Sequence, residues 1–187
     1  MRIIAGRHRG IRLAELGAGD VAAHLRPTSD RVRESLFNLL AHGAYGDPLD
    51  GARVLDLFAG TGALGLEALS RGAAEATFVE NGRTSLAILR ANLAHLRLGE
   101  AARVLARDAT ALGPNPGAPA DLVFLDPPYA KGLGERALAA AMAGGWLAPS
   151  ALIVWEESAS ISPPAALTLL DGRRYGDTMI RILRATL

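Results

Sequence analysis

The sequence contains no cysteine. Disulfide frameworks, thiolate nucleophiles and thiolate metal sites are therefore excluded. Lysine occurs once, as Lys131, and no Gly-x-x-x-x-Gly-Lys phosphate loop is present. There is no Gly-x-Ser-x-Gly nucleophile elbow either. The four histidines (His8, His24, His42 and His95) show no metal-ligand spacing, and no metal is expected. No apolar run reaches the roughly 18 residues of a membrane span. Met1-Arg2-Ile3-Ile4 leads straight into Gly6-Arg7-His8-Arg9-Gly10, unlike the long apolar core of a signal peptide. A cytoplasmic protein is the expectation.

What the chain does have is apolar mass and arginine. Half of its 187 residues are apolar, enough for one domain with a small extension. The net charge of +1 hides an asymmetry. Residues 1–40 hold seven arginines against four acids; the remainder holds thirteen basic and fifteen acidic residues. A basic amino-terminal segment is a modest pointer to nucleic acid.

The stretch Val54-Leu55-Asp56-Leu57-Phe58-Ala59-Gly60-Thr61-Gly62-Ala63-Leu64-Gly65 organises the rest. It reads as a strand, a tight loop and a helix N-terminus. Glycines allow close approach to the backbone, and the helix end offers unpaired N–H groups. A nucleotide-like cofactor is implied. Gly60-x-Gly62-x-x-Gly65 matches the dinucleotide fingerprint, with Glu80 where a ribose-binding acid is expected. Asp56, three residues and then Gly60-x-Gly62 equally match an S-adenosylmethionine loop. Charge separates the two readings. A pyrophosphate about 6 Å from Asp56 would be repelled by roughly 3 kcal/mol at an effective dielectric of 20. The cationic methyl donor would instead be attracted. A turn serving only close helix–strand packing remains the plain structural reading.

Residues 1–26 read as an extended basic arm, with Arg7, His8, Arg9 and Arg12 around Gly10. Arginine forks suit phosphates. A helix is expected from Thr28, Ser29 or Asp30, its apolar face carrying Val32, Leu36, Leu39 and Leu40. From Ala52 strands and helices alternate. Strands are expected at 54–58, 76–80, 103–107, 121–126 and 151–155, with a closing antiparallel pair at 167–170 and 179–183. Such alternation implies a mostly parallel sheet with helices on both faces. Asp56, Glu80, Asp108 and Asp126 then fall at the carboxyl edge of the strands, where ligands bind in these sheets. Four carboxylates there suggest a shared site.

Asp126-Pro127-Pro128-Tyr129 follows the strand Leu122–Leu125. Two prolines stop the ladder and hold the backbone extended. Asp126 and the Pro127 carbonyl can each accept a hydrogen bond from an exocyclic amine, and the Tyr129 ring can stack on a planar base. Steering the amine's lone pair toward a methyl sulfonium needs positioning and electrostatics, with no covalent intermediate.

This motif resembles the [Asn/Asp]-Pro-Pro-[Tyr/Phe] signature of amino methyltransferases acting on adenine N6 or guanine N2. Arg2–Gly6, Leu25–Asn38, Val54–Gly72 and Phe78–Asn81 narrow the resemblance to the bacterial RsmD family, the 16S ribosomal RNA guanine-N2 methyltransferases that modify guanine 966. Ala5 departs from it, standing where a second glycine is expected. The resemblance implies a Rossmann-like class I S-adenosylmethionine-dependent methyltransferase fold. Its seven-stranded sheet would be mostly parallel, with an antiparallel C-terminal strand. It implies an RNA-binding arm and helix over residues 1–50 and a methyltransferase domain over 51–187.

Site roles follow from the same resemblance. Asp56, Phe58, Gly60, Thr61 and Gly62 would cradle the methionine part of the donor. Glu80 would take the ribose, Asn81 would lie beside the adenine, and Asp108 and Ala109 would meet its edge. Asp126, Pro127, Pro128 and Tyr129 would hold the target guanine. Arg7, Arg9, Arg12, Arg26, Thr28 and Arg31 would contact 16S rRNA, in a partly or fully assembled small subunit. Three alternatives are an adenine-N6 methyltransferase, a nicotinamide oxidoreductase and a non-catalytic RNA-binding protein.

Overall fold

Val54–Leu57 is apolar on both sides except at Asp56, so a strand there needs cover on both faces. A computed structural model describes residues 1–15, 17, 30–128, 132–158, 161–176 and 178–187. It supplies that cover. The elements are α1 (Asp30–His42), β1 (Arg53–Leu57), α2 (Ala63–Ser70), β2 (Glu75–Glu80), α3 (Arg83–His95), β3 (Ala102–Ala106), β4 (Ala120–Leu125), α4 (Leu133–Ala143), β5 (Leu147–Glu157), β6 (Leu167–Tyr175) and β7 (Thr178–Ala185). The strands form a single sheet in the order β3-β2-β1-β4-β5-β7-β6. β1 pairs in parallel with β2 and β4, and β7 runs antiparallel to both β5 and β6. The strand order changes direction at β1, and in such sheets ligands bind beside that point, beyond the carboxyl ends of the strands.

Alternation sorts the strand side chains into two cores. Val54, Phe78, Phe124, Val154 and Ile182 face α1, α2 and α3. Leu55, Leu57, Val79, Leu125 and Trp155 face α4 and the turn at 109–112. β5 and β7 run longer than the sequence pattern suggests. Glu156 pairs with Ile180 and Glu157 with Met179, so β5 continues past Trp155.

The buried face of α1 is Arg33, Leu36, Phe37 and Leu40, while Val32 and Leu39 are only half-buried. Phe37 packs on Phe124 with ring centroids 5.6 Å apart. The Arg71 guanidinium lies 5.0 Å from the centroid of the Phe37 ring. Arg33 is fully buried and donates to the Arg2 carbonyl and, at 3.0 Å, to Asp30.

Residues 1–15 are not an extended arm. Arg2 and Arg12 bridge antiparallel, and the Ile3 N–H donates to the Ile11 carbonyl at 2.9 Å. Ile3 and Leu13 enter the same core as α1 and α2. The hairpin is held by α2. Glu67, completely buried, accepts the Ile4 and Ala5 N–H groups at 2.8 and 3.0 Å and Arg71 Nε at 2.7 Å. Ser70 Oγ donates to the Ala5 carbonyl at 2.6 Å and accepts the His8 N–H at 3.0 Å. The amide of buried Asn92 exchanges two hydrogen bonds with the Ala14 backbone. Side chains more than sixty residues away thus satisfy backbone groups that an extended arm would give to water.

Candidate active site

The loop after β1 is built on unusual backbone. Phe58, Gly60 and Gly62 have φ of +60°, +57° and +88°. For Phe58 this left-handed conformation costs about 1 kcal/mol or more. The three glycines play different parts. A Cβ on Gly60 would meet nothing within 4 Å, so open space lies above it. A Cβ on Gly62 would sit 2.5 Å from Leu89 Cδ1, and one on Gly65 would sit 2.4 Å from Phe78 Cε1. Gly65 is what lets α2 lie against β2.

Two carboxylates hold the loop. Asp56 is buried inside β1, one residue short of its end, and its Oδ2 accepts the Gly65 N–H at 2.9 Å. It thereby satisfies a first-turn amide of α2, where the helix end is positive. Burial pushes its pKa up to about 7; the Gly65 N–H opposes the rise and the Glu80 charge adds to it. Glu80, the last residue of β2, reaches across. Its Oε2 accepts the Gly60 N–H at 2.8 Å, and its Oε1 accepts those of Asn81 at 2.9 Å and Gly82 at 2.6 Å. Asn92 Nδ2 donates to the Thr61 carbonyl at 3.0 Å.

Asp126 follows β4 directly, and its N–H continues the ladder to the Leu57 carbonyl at 3.5 Å. Burial raises its pKa well above the usual carboxylate range, and the charges of Glu156, Asp56 and Glu157 raise it further. Pro127 is buried and Pro128 half-buried behind it. Asp56, Glu80 and Asp126 therefore share one field across three adjacent strand ends. Asp108 stands apart from that field. It caps the short turn at 109–111 and accepts the Thr110 N–H and hydroxyl, both at 2.8 Å, and the Thr110 N–H chiefly holds its pKa down. Ala109 is buried beside it.

Glu156 and Glu157, both 6% exposed at the end of β5, belong to the same acidic group and were not among the expected residues. The signal was the pair of acids directly after an apolar strand, at the edge where Asp126 ends its own. Arg7, Arg9 and Arg12 are exposed on the hairpin, and Arg31 is exposed in the first turn of α1. Tyr129, Arg26 and Thr28 lie outside the described residues, as do the expected helix start at Thr28 or Ser29 and His24.

Known proteins share this sequence and this fold. The family model described as "Conserved hypothetical protein 95" matches residues 1–184. The chain belongs to this family, the RsmD family. Ribosomal RNA small subunit methyltransferase D of Escherichia coli K12 is 46% identical over 156 residues, covering 83% of this chain and 74% of that protein. Its namesake in Haemophilus influenzae is 38% identical, covering 97% and 92%. The solved structure of Escherichia coli yhhF matches with a TM-score of 0.84 at 40% identity, covering 100% of this chain and 98% of the other.

The fold is the class I S-adenosylmethionine-dependent methyltransferase fold, with S-adenosylmethionine the cofactor. A solved structure of a methyltransferase complexed with S-adenosylhomocysteine shares the fold at 18% identity and a TM-score of 0.58. The residues present fit that cofactor. The space above Gly60 is open, and the nearby charge of Asp56 and Glu80 is negative, as a cationic donor requires. The dinucleotide reading falls with the family assignment. Among the described residues no group of acids and histidines could hold a metal, and no helix is long and apolar enough to cross a membrane.

Proposed function

We propose that the chain transfers a methyl group from S-adenosylmethionine to the exocyclic N2 amine of guanine 966 in 16S ribosomal RNA. The observation that carries this reading is Asp126 at the Asp-Pro-Pro corner of β4, one strand from the loop that Asp56 and Glu80 hold. The names of the Escherichia coli and Haemophilus relatives support ribosomal RNA of the small subunit as the substrate class.

When bound, S-adenosylmethionine supplies an electrophilic methyl on a sulfonium. Asp56, Phe58, Gly60, Thr61 and Gly62 form the cradle for its methionine part. Glu80 and Asn81 lie on the ribose and adenine side, and Asp108 and Ala109 bound the far end. Asp126 in its ionised form and the Pro127 carbonyl accept the amine's N–H groups and leave its lone pair aimed at the donor. Pro127 and Pro128 keep that carbonyl from rotating away. Tyr129 stacks on the base. Arg7, Arg9 and Arg12 on the hairpin, with Arg26, Thr28 and Arg31, grip the RNA backbone. Residues 1–50 thus serve the RNA and residues 51–187 the transfer, in the cytoplasm, on a partly or fully assembled small subunit.

The test incubates the protein with labelled S-adenosylmethionine and partly assembled small subunits lacking the modification, then identifies the labelled nucleoside. N2-methylguanosine at one position is expected. N6-methyladenosine would move the reading to an adenine-N6 methyltransferase. No transfer with donor bound would favour a non-catalytic RNA-binding protein.

A further inference from the structure

Guanine and adenine both present an exocyclic amine, so holding an amine does not choose between them. The two edges differ at N1, which is a donor (N1–H) in guanine and an acceptor in adenine. A site that selects guanine needs a second acceptor beside the one that holds the amine.

The sheet register places such an acceptor. Leu125 of β4 pairs with Trp155 of β5, so Asp126 and Glu156 come next, side by side on parallel strands. Phe124 and Val154 face α1–α3, whereas Leu125 and Trp155 face α4. By alternation Asp126 and Glu156 return to the first face together. Glu156 is buried there, and among charged groups it acts most strongly on Asp126. Glu157 alternates to the opposite face, and its Oε1 accepts the Ser158 N–H at 2.9 Å. A buried carboxylate against the half-buried Asp126 burdens the fold, because like charges there repel. A function at this edge accounts for its presence.

We propose that Glu156 selects guanine, accepting the N1–H of the base whose N2 amine Asp126 holds. This rests on the guanine-N2 reading above. A carboxylate has about four lone-pair sites, so Glu156 keeps capacity for N1–H beside its contacts within the protein. Adenine in the same pose would turn an acceptor onto Glu156 and leave both groups unpaired.

The test compares kcat/KM for small subunits whose 16S rRNA carries guanine or 2-aminopurine at the target. 2-Aminopurine keeps the N2 amine and lacks N1–H. The wild-type protein is expected to prefer guanine by about tenfold or more, the usual discrimination of a paired base edge. Glu156→Gln, whose amide can donate to N1, should shrink that preference about tenfold, with donor affinity unchanged. The preference is a ratio within one enzyme, so a partly folded preparation does not distort it. Glu156→Ala provides the same comparison if the glutamine variant fails to fold. An unchanged guanine to 2-aminopurine ratio in both variants would overturn the inference and leave the guanine-N2 reading standing. Failure of the wild-type protein to form N2-methylguanosine would overturn both.

Discussion

The carboxylate of Glu80 bonds the backbone N–H of Gly60 at 2.8 Å, tying the end of β2 to the loop after β1. The same side chain also takes the Asn81 and Gly82 N–H groups. Glu80 therefore shapes the loop through backbone hydrogen bonds alone. Glu80→Ala leaves three N–H groups without their acceptor, and each lost charged hydrogen bond is worth about 1.5–3 kcal/mol. Donor affinity measured by calorimetry should fall at least tenfold. Glu80→Gln should fall between, since its single carbonyl oxygen serves only one of the two sides.

Gly65→Ala places a methyl 2.4 Å from Phe78 Cε1 and 3.0 Å from Asp56 Oδ2. Both neighbours are buried and neither can swing away. Overpacking of this kind costs about 1–3 kcal/mol. The thermal midpoint should drop by several degrees, as about 2–4 °C per kcal/mol is typical for a chain of this size. Gly60→Ala meets no atom, so it should carry only the strain of its positive φ.

The fold holds Asp56 with a pKa of about 7, above its unfolded value. Its contribution to stability is complete below the unfolded pKa, near 3.9. That contribution is lost as pH rises through 7. Free protein should therefore lose stability between about pH 4 and 7, and Asp56→Asn should flatten that slope in denaturant titrations. Binding of a cationic donor favours the ionised form, so donor affinity should rise over pH 6 to 7.5 in the wild type and change less in Asp56→Asn.

Asp126→Ala should lower kcat by about 10²–10³, the usual loss when one preorganised hydrogen-bonding group is removed. Donor affinity should change little, because Asp126 makes none of the loop's hydrogen bonds. In the wild type the single-turnover rate should rise with pH as Asp126, whose pKa burial and then Glu156 raise, gives up its proton. A pH-independent rate would remove Asp126 from the transfer step.

Glu67→Ala strips the acceptor from Ile4, Ala5 and Arg71 in one step. Breaking a buried ion pair from one side costs about 3–5 kcal/mol. Affinity for small subunits, measured by filter binding, should fall in proportion to hairpin release, while the isolated donor equilibrium stays near wild type.

The loop after β1 was readable because its glycines are dictated locally, by φ and by contacts with the next helix and strand. The Asp-Pro-Pro corner was readable for the same reason, since proline acts on its own backbone. The hairpin was not. Its acceptors, Glu67 and Ser70, lie more than sixty residues away and read as ordinary helix polar residues. Arg33 shares the spacing of Leu36 and Leu40, but its charge kept it off the expected apolar face. Glu156 and Glu157 lie beyond Trp155, where the sequence pattern ends the fifth strand. They are strand because β7 pairs with them, a contact that no window of neighbouring residues contains.

One helix joins the loop after β1 to the amino-terminal hairpin. α2 begins at the donor loop through Gly62 and ends at the hairpin through Glu67 and Ser70. Its eight residues span about 12 Å at 1.5 Å per residue, and nearly all are buried. The helix works as a calliper with fixed jaws, one on the loop after β1 and the other on the hairpin. An insertion of one residue in α2 would rotate one jaw by about 100° around the other.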